Sequence, residues 1–329
     1  MADTRPRIIM NKNSKIYIAG HSGLVGGAIT RHLKSAGYTN IITRTHNEMD
    51  LLNQLAVNDF FENEKPEYVF LAAAKVGGIG ANSAYPADFI YQNIMIGFNI
   101  IHAAYKNGVK KLINLGSSCI YPKLAPQPLK EEYLLSDLLE PTNEAYAVAK
   151  ISVIKLCTFY NRQYGTNYLS VMPTNLYGPG DNYDPAGSHV LPALIRKFHE
   201  AKVSGYDQVT LWGDGSSQRE FLYSDDLAQA LVMLVKNNNA SDLSNPAGDF
   251  VNIGSGKDLT IKELAEKIKD VVYEGTSNRI CRIEWDTSKP NGTPKKLLDI
   301  SRITALGFSP KISLGEGIRL AYRDFINSY

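Results

Sequence analysis

Apolar residues in this chain gather in short runs at KIYIAG (15–20), NIITRT (40–45), YVFLAA (68–73), KLINLGS (111–117) and YLSVMPT (168–174), separated by amphipathic stretches of helical length. Short runs predict strands, and their alternation with helices predicts right-handed crossovers in a parallel sheet covered on both faces. The expected fold class is α/β, a doubly wound parallel sheet with a smaller C-terminal α/β lobe. After Tyr177-Gly178-Pro179-Gly180 the rhythm breaks into turn-rich sequence, followed by a helix near 191–201, a strand QVTLW and a late helix TIKELAEKIKDVV. FVNIGS (250–255) and FLYSDDLAQALVMLV return to the first unit in this reading. The expected division is a flexible extension at 1–14, a dinucleotide-binding unit at 15–178 with about 218–255, and a substrate lobe at 179–217 and 256–329. NNNASDLSNPAG (237–248) reads as a surface loop.

The first strand runs into Gly20-His21-Ser22-Gly23-Leu24-Val25-Gly26, a GxxGxxG turn opening a helix. Glycines permit the tight turn and bring backbone N–H groups and the helix N-terminus up to a pyrophosphate, which makes the first unit Rossmann-type. An NAD site usually carries an acidic residue about 20 positions on, to hold the ribose hydroxyls. Here the chain reads Thr43-Arg44-Thr45-His46-Asn47. Arg44, with His46, suits a 2′-phosphate through charge-assisted bonds, so NADP(H) is the expected cofactor.

Tyr146-Ala147-Val148-Ala149-Lys150 sets a phenol and an ammonium four residues apart on one helix face, where the ammonium is expected to lower the phenol's pKa. Upstream, GSSCIYP puts Ser117 at a strand end, where open α/β sheets place their ligands. Ser117, Tyr146 and Lys150 form a credible carbonyl-reducing triad, with Tyr146 giving the proton as hydride arrives.

Composition narrows the classes. The 329 residues carry 35 Lys plus Arg against 33 Asp plus Glu, a net charge of +2. No electrostatic field recruits nucleic acid or membrane, so an anionic ligand must be met locally. Cys119, Cys157 and Cys281 are widely spaced without a CxxC pair, which supports neither a disulfide framework nor a metal site and suggests a reducing cytoplasm. No apolar run reaches the roughly 20 residues of a membrane span, and the polar start lacks a secretory pattern. The triplets Asn239-Ala240-Ser241 and Asn291-Gly292-Thr293 read as incidental.

GHSGLVG, LAAAKVGGI, YPADFIYQN, GSSCIYPK, EPTNEAYAVAK, LSVMPTNLYGP, SHVLPALIRKFHEA, WGDGSSQREFL and SKPNGTPKKLLD together resemble the GDP-L-fucose synthase family of extended short-chain dehydrogenases, over residues 15 to about 325. The resemblance implies epimerisation of GDP-4-keto-6-deoxymannose at C3 and C5, then reduction at C4 with NADPH. It implies Cys119 as base and His189 as the acid that reprotonates the opposite face. Ser117 and Tyr146 would then hold the enolate as well as the ketone. It also sets Asp50 and Leu51 beside the adenine, Ala73 and Leu115 along the cofactor, and Pro173, Asn175 and Leu176 near the nicotinamide, with His189 close by. Lys197, Trp212 and Arg219 fall in the family's substrate-binding segments, with Lys295 a further candidate; Lys197 stands where relatives carry arginine. Where family members often carry arginine near Ser22 and His46, this chain offers only Arg44, which leaves the strength of NADPH preference open. Two helices apolar over much of their circumference, ADFIYQNIMIGFNIIHAAYKNG and YAVAKISVIKLCTFYNRQYG, fit a homodimer through a four-helix bundle, as in the family, or deep burial in a monomer. Two other readings stand beside this one, a UDP-hexose 4-epimerase of the same fold that keeps NAD bound and a non-catalytic NADP-binding regulator.

Overall fold

The computed structural model describes residues 10–185, 187–276, 281–289 and 291–328. In chain order the elements are β1 (Ile16–Ala19), α1 (Leu24–Ser35), β2 (Ile41–Ile42), α2 (Gln54–Glu64), β3 (Tyr68–Leu71), α3 (Ile79–Ala84), α4 (Pro86–Lys106), β4 (Lys111–Leu115), α5 (Glu144–Tyr164), β5 (Tyr168–Pro173) and β6 (Asn175–Tyr177). They continue as α6 (Val190–Ser204), β7 (Gln208–Trp212), β8 (Gln218–Tyr223), α7 (Ser224–Asn237), β9 (Ser244–Asn245), β10 (Gly248–Ile253), β11 (Asp258–Thr260), α8 (Ile261–Val272), β12 (Arg282–Asp286), β13 (Lys295–Lys296), α9 (Ser301–Ala305) and α10 (Leu314–Ser328).

Seven strands form the main sheet in the order β2-β1-β3-β4-β5-β10-β9, parallel except where β9 turns back on β10. Its strands are apolar on both sides because both faces are covered. Ile16 and Ile18 of β1 pack with Ile29, Leu33, Leu227 and Leu231 from α1 and α7, whereas Tyr17 and Ala19 pack with Ile100, Ile101 and Val153 from α4 and α5. Chain order reverses at β1, which has β2 on one side and β3 on the other, so a crevice opens beyond the carboxyl ends of β1 and β3. Gly20 lies there: its φ is +83°, and a Cβ on it would stand 2.7 Å from the Ala73 nitrogen.

The smaller lobe has its own core, in which Phe198, Leu211, Ile268, Ile318 and Phe325 from α6, β7, α8 and α10 pack together. β8 pairs with β6, β11 and β13, and β7 pairs with β12.

Three expectations change. The frayed extension does not reach residue 14, because Met10 and Ser14 are buried and Met10 joins the main core beside Tyr38; residues 1–9 lie outside the described residues. Segment 237–248 is not a plain surface loop. Asn167 Nδ2 donates to Asn239 Oδ1 at 2.8 Å, and the buried Lys111 ammonium donates to the carbonyls of Val235 and Asn238, closing the end of α7. Residues 218–223 sit in the small sheet although α7, which follows directly, packs on the large one; alternating burial along a strand does not say which sheet will pair with it. Among the described residues, no helix is long and apolar enough to cross a membrane, and no group of three His, Cys, Asp or Glu could hold a metal ion.

Candidate active site

The glycine turn is built for close approach. The Gly23 N–H donates to the Gly20 carbonyl at 3.1 Å, and a Cβ on Gly26 would stand 2.0 Å from that oxygen, so the turn folds only without side chains there. Gly23 caps α1 with no side-chain bond, which leaves the first-turn N–H groups of Leu24 and Val25 facing outward with the positive end of the helix dipole. That bare, side-chain-free cradle fits the pyrophosphate of a dinucleotide.

At the end of β2, Arg44 is held in place rather than free. Its guanidinium pairs with Glu64 at 2.6 Å, donates to the Thr43 carbonyl at 2.9 Å and lies over the Phe60 ring. Glu64 also takes Lys15 at 2.9 Å, and the two cations hold its carboxyl below the usual range. His46 is exposed, 3.8 Å from Asp50. Asp50 Oδ1 accepts from the Leu52 N–H at 2.9 Å, and Asn99 of α4 donates to the Leu51 carbonyl at 2.9 Å, so the loop proposed for the adenine is fixed from below.

Beyond β4 the Gly116 N–H donates to the Val171 carbonyl at 2.8 Å, and the chain turns through a short 3-10 helix, Ser118–Ile120. Ser117 caps it by accepting from the Cys119 N–H at 3.2 Å, which locks Ser117 and Cys119 together. α5 brings Tyr146 and Lys150 to the same place. The Tyr146 hydroxyl meets Ser117, and its ring lies edge-on to Phe89, centroids 6.3 Å apart. Lys150 donates to the Leu115 carbonyl at 2.8 Å, with its ammonium 5.7 Å from the Tyr146 ring centre.

Burial decides the protonation of this pair. It pushes the Tyr146 phenol well above its ordinary value and lowers the Lys150 ammonium to about 8. Desolvation is the largest influence on the phenol, the Ser117 hydrogen bond opposes it, and the Lys150 ammonium, expected to lower it, is turned to the Leu115 carbonyl. A protonated phenol is the form a proton donor needs.

Cys119 is half-buried, with Asn143 Nδ2 at 3.4 Å and Lys296 Nζ at 3.6 Å from its sulfur. A shallow cleft beside it is lined by Cys119, Lys123, Gln127, Glu140, Lys295 and Lys296, among others. His189 caps α6 through its backbone, and its neighbour's carbonyl lies against Gly78. Desolvation lowers the His189 pKa, although the residue as a whole is solvent-exposed.

Of the substrate candidates, Arg219 is the most embedded. It donates to the carbonyls of Gln218 and Thr293 and acts electrostatically on Cys119. Lys197 donates to the Thr210 carbonyl at 3.1 Å. Trp212 is 67% exposed at the end of β7, a flat surface with Lys289 over its ring. Lys295 lines the cleft, but its ammonium pairs with Asp258 at 2.9 Å, while its neighbour Lys296 reaches the sulfur. Successive side chains on β13 point to opposite faces, so only one of the two lysines can face Cys119. Asn175 spends its amide on the Glu220 carbonyl at 2.8 Å and Thr174 donates to Ile253, which together pin the Pro173–Leu176 bend. Sequence reasoning missed Asn143 and Lys296. Asn143 lies three residues before Tyr146, but only the fold sets either one at the sulfur.

Residues 16–254 match the NAD dependent epimerase/dehydratase family. GDP-L-fucose synthase 1 of Arabidopsis thaliana is 55% identical over 313 residues, covering 95% of this chain and 93% of that one. GDP-L-fucose synthase of Escherichia coli (strain K12) is 53% identical over 317 residues, covering 95% and 97%. Among solved structures, the GDP-mannoheptose C4 reductase MlghC of Campylobacter jejuni with NADP bound superposes with a TM-score of 0.87 at 42% identity, covering 96% of this chain and 99% of that one.

Proposed function

The chain belongs to the NAD dependent epimerase/dehydratase family, and from that membership and the site we propose that it is an NADP(H)-dependent bifunctional enzyme. It epimerises GDP-4-keto-6-deoxy-D-mannose at C3 and C5 and then reduces C4 to give GDP-L-fucose. The observation that carries this reading is the joining of Ser117 to both Cys119 and Tyr146, which puts a carbonyl-reducing pair and a thiol at one strand end. The two relatives named GDP-L-fucose synthase support the substrate.

The chemistry follows from the groups present. Ser117 and Tyr146 donate to the C4 oxygen, which makes the protons at C3 and C5 acidic and holds the enolate formed when one leaves. Cys119 takes that proton, and His189 returns one to the opposite face. NADPH, when bound, supplies the hydride for C4. Tyr146 gives its proton to the C4 oxygen, and Lys150, one turn along α5, would hold the nicotinamide ribose. Arg219 and Lys197 meet the diphosphate and Trp212 stacks on the guanine. Gly20, Gly23 and Gly26 would hold the pyrophosphate of NADP(H), and Arg44 would meet its 2′-phosphate. Residues 179–217 and 256–329 hold the nucleotide sugar.

Two coarser features complete the proposal. Tyr91 and Phe98 of α4 and Phe159 and Tyr164 of α5 are exposed, and such a face on a helix pair suits a second copy of the chain packing as a four-helix bundle. Three unpaired cysteines suit a reducing cytoplasm.

The test mixes the protein with GDP-4-keto-6-deoxymannose and NADPH in deuterated water. Nicotinamide absorbance falls and the product carries deuterium at C3 and C5. In the Cys119→Ser variant deuterium incorporation is lost while NADPH binding persists. Oxidation of NADPH without deuterium in the sugar would leave a C4 reductase, as the MlghC likeness allows, and no oxidation at all would remove the reading.

A further inference from the structure

Proton abstraction beside a ketone leaves one demand unassigned: the sulfur nucleophile and base is the thiolate, not the thiol, and it exists only where its surroundings favour the anion. Cys157 is sealed in the core, whereas Cys119 is half-buried with polar donors around its sulfur. The Asn143 amide and the Lys296 ammonium both donate to its sulfur, at 3.4 and 3.6 Å. Donors to the charged form favour it, and an ammonium adds direct attraction.

The two donors reach the sulfur from separate parts of the fold, and each is anchored. Asn143 ends the 3-10 turn Pro141–Asn143 ahead of α5, where its N–H donates to the Glu140 carbonyl at 3.1 Å. Lys296 lies in β13 opposite Arg219, and the residues after it are clamped by Gln127 and Glu220 through the Leu297 and Leu298 N–H groups. Arg219 and Tyr146 interact electrostatically with this sulfur, Lys123, Glu140 and Lys295 line the cleft beside it, and Ser117 is tied to the Cys119 backbone N–H.

We propose that Asn143 and Lys296 are positioning residues for the epimerase half-reaction, their N–H groups holding the Cys119 sulfur as the thiolate that takes the sugar protons. This rests on Cys119 being the base. As the C3–H bond breaks, its electrons pass to the C4 oxygen as an enolate and an S–H bond forms. His189 then gives its proton to the opposite face of C3. The proton on sulfur returns through solvent to His189, which restores thiolate and imidazolium before the same cycle at C5, and nothing is oxidised or reduced.

The test uses the full chain with Asn143→Ala, Lys296→Met and Lys296→Arg. Without substrate, iodoacetamide alkylation at pH 7 is followed on the Cys119 peptide by mass spectrometry, with the buried Cys157 and Cys281 as internal blanks. Alkylation is expected to slow by about tenfold in Asn143→Ala and Lys296→Met, the order of losing one hydrogen bond to a charged group, and to recover largely in Lys296→Arg. Removing the Asn143 amide opens access to the sulfur, so a purely steric role would speed the reaction instead. With substrate in deuterated water, exchange at C3 and C5 slows in step with alkylation and KM changes little, while reduction of the already epimerised ketone keeps its rate. Alkylation at the wild-type rate overturns the proposal. So does a raised KM with normal alkylation, which would make Lys296 a diphosphate ligand only. Should Asn143→Ala not fold, the two Lys296 variants decide. Slowed alkylation in a protein that does not turn over the keto sugar would uphold the donors and overturn the functional reading instead.

Discussion

Single side chains in this site differ by what surrounds them more than by what they are. Lys150 is buried and its ammonium is lowered to about 8, so its charge is lost as pH rises through that value, while Tyr146 is pushed the other way and keeps its proton over the same range. The expected outcome is a kcat/KM for the keto sugar that declines above about pH 8, with Lys150→Arg slower overall but without that decline, because a guanidinium does not deprotonate there. The missing acidic residue is what proposes Arg44 for the 2′-phosphate from sequence; its pairing with Glu64 at 2.6 Å is not legible there. Arg44→Ala should reduce the preference for NADPH over NADH by tenfold or more, read from the two kcat/KM values, in keeping with the loss of a charge-assisted bond. An unchanged ratio would remove Arg44 from the 2′-phosphate. The choice between Lys295 and Lys296 turned on strand alternation, which needs the register of β13 against β8.

Elements were the most readable level where periodicity is strong and the least where packing decides. α4 and α5 are visible as long apolar helices, but their closeness rests on Gly97. A Cβ there would stand 2.4 Å from Val153 Cγ2, so the two helices approach only because that position is bare. Gly97→Ala is expected to cost about 1–3 kcal/mol by overpacking, read as a lowered midpoint of thermal unfolding. Val153→Ala in the same chain should recover part of the loss; no recovery would place the strain elsewhere. The run at 40–45 does contain a strand, β2, although only two residues of it pair, whereas the buried caps of segment 237–248 were missed. Their apolar content is small, and their polar residues are satisfied by distant carbonyls and amides.

At the scale of the molecule, two cores and two sheets meet along Pro173–Leu176 and β8, and the proposed substrate groups lie on both sides of that seam. If the exposed aromatic face of α4 and α5 pairs with a second copy, the double substitution Phe98→Glu with Phe159→Glu should give a monomer by light scattering while NADPH binding persists. A wild-type chain that is already monomeric would discard the bundle. The sequence by itself determined the parallel α/β architecture, the glycine turn and the Ser117, Tyr146 and Lys150 set, because strand and helix periods, obligatory glycines and an i, i+4 pair are local properties of the chain. Only the tertiary structure decided which sheet takes β8, that Tyr146 and Lys150 are both buried, that Arg44 is shared with Glu64, and that Asn143 and Lys296 meet at Cys119. Those outcomes depend on desolvation and on contacts between residues up to 177 positions apart, and neither is written in local spacing.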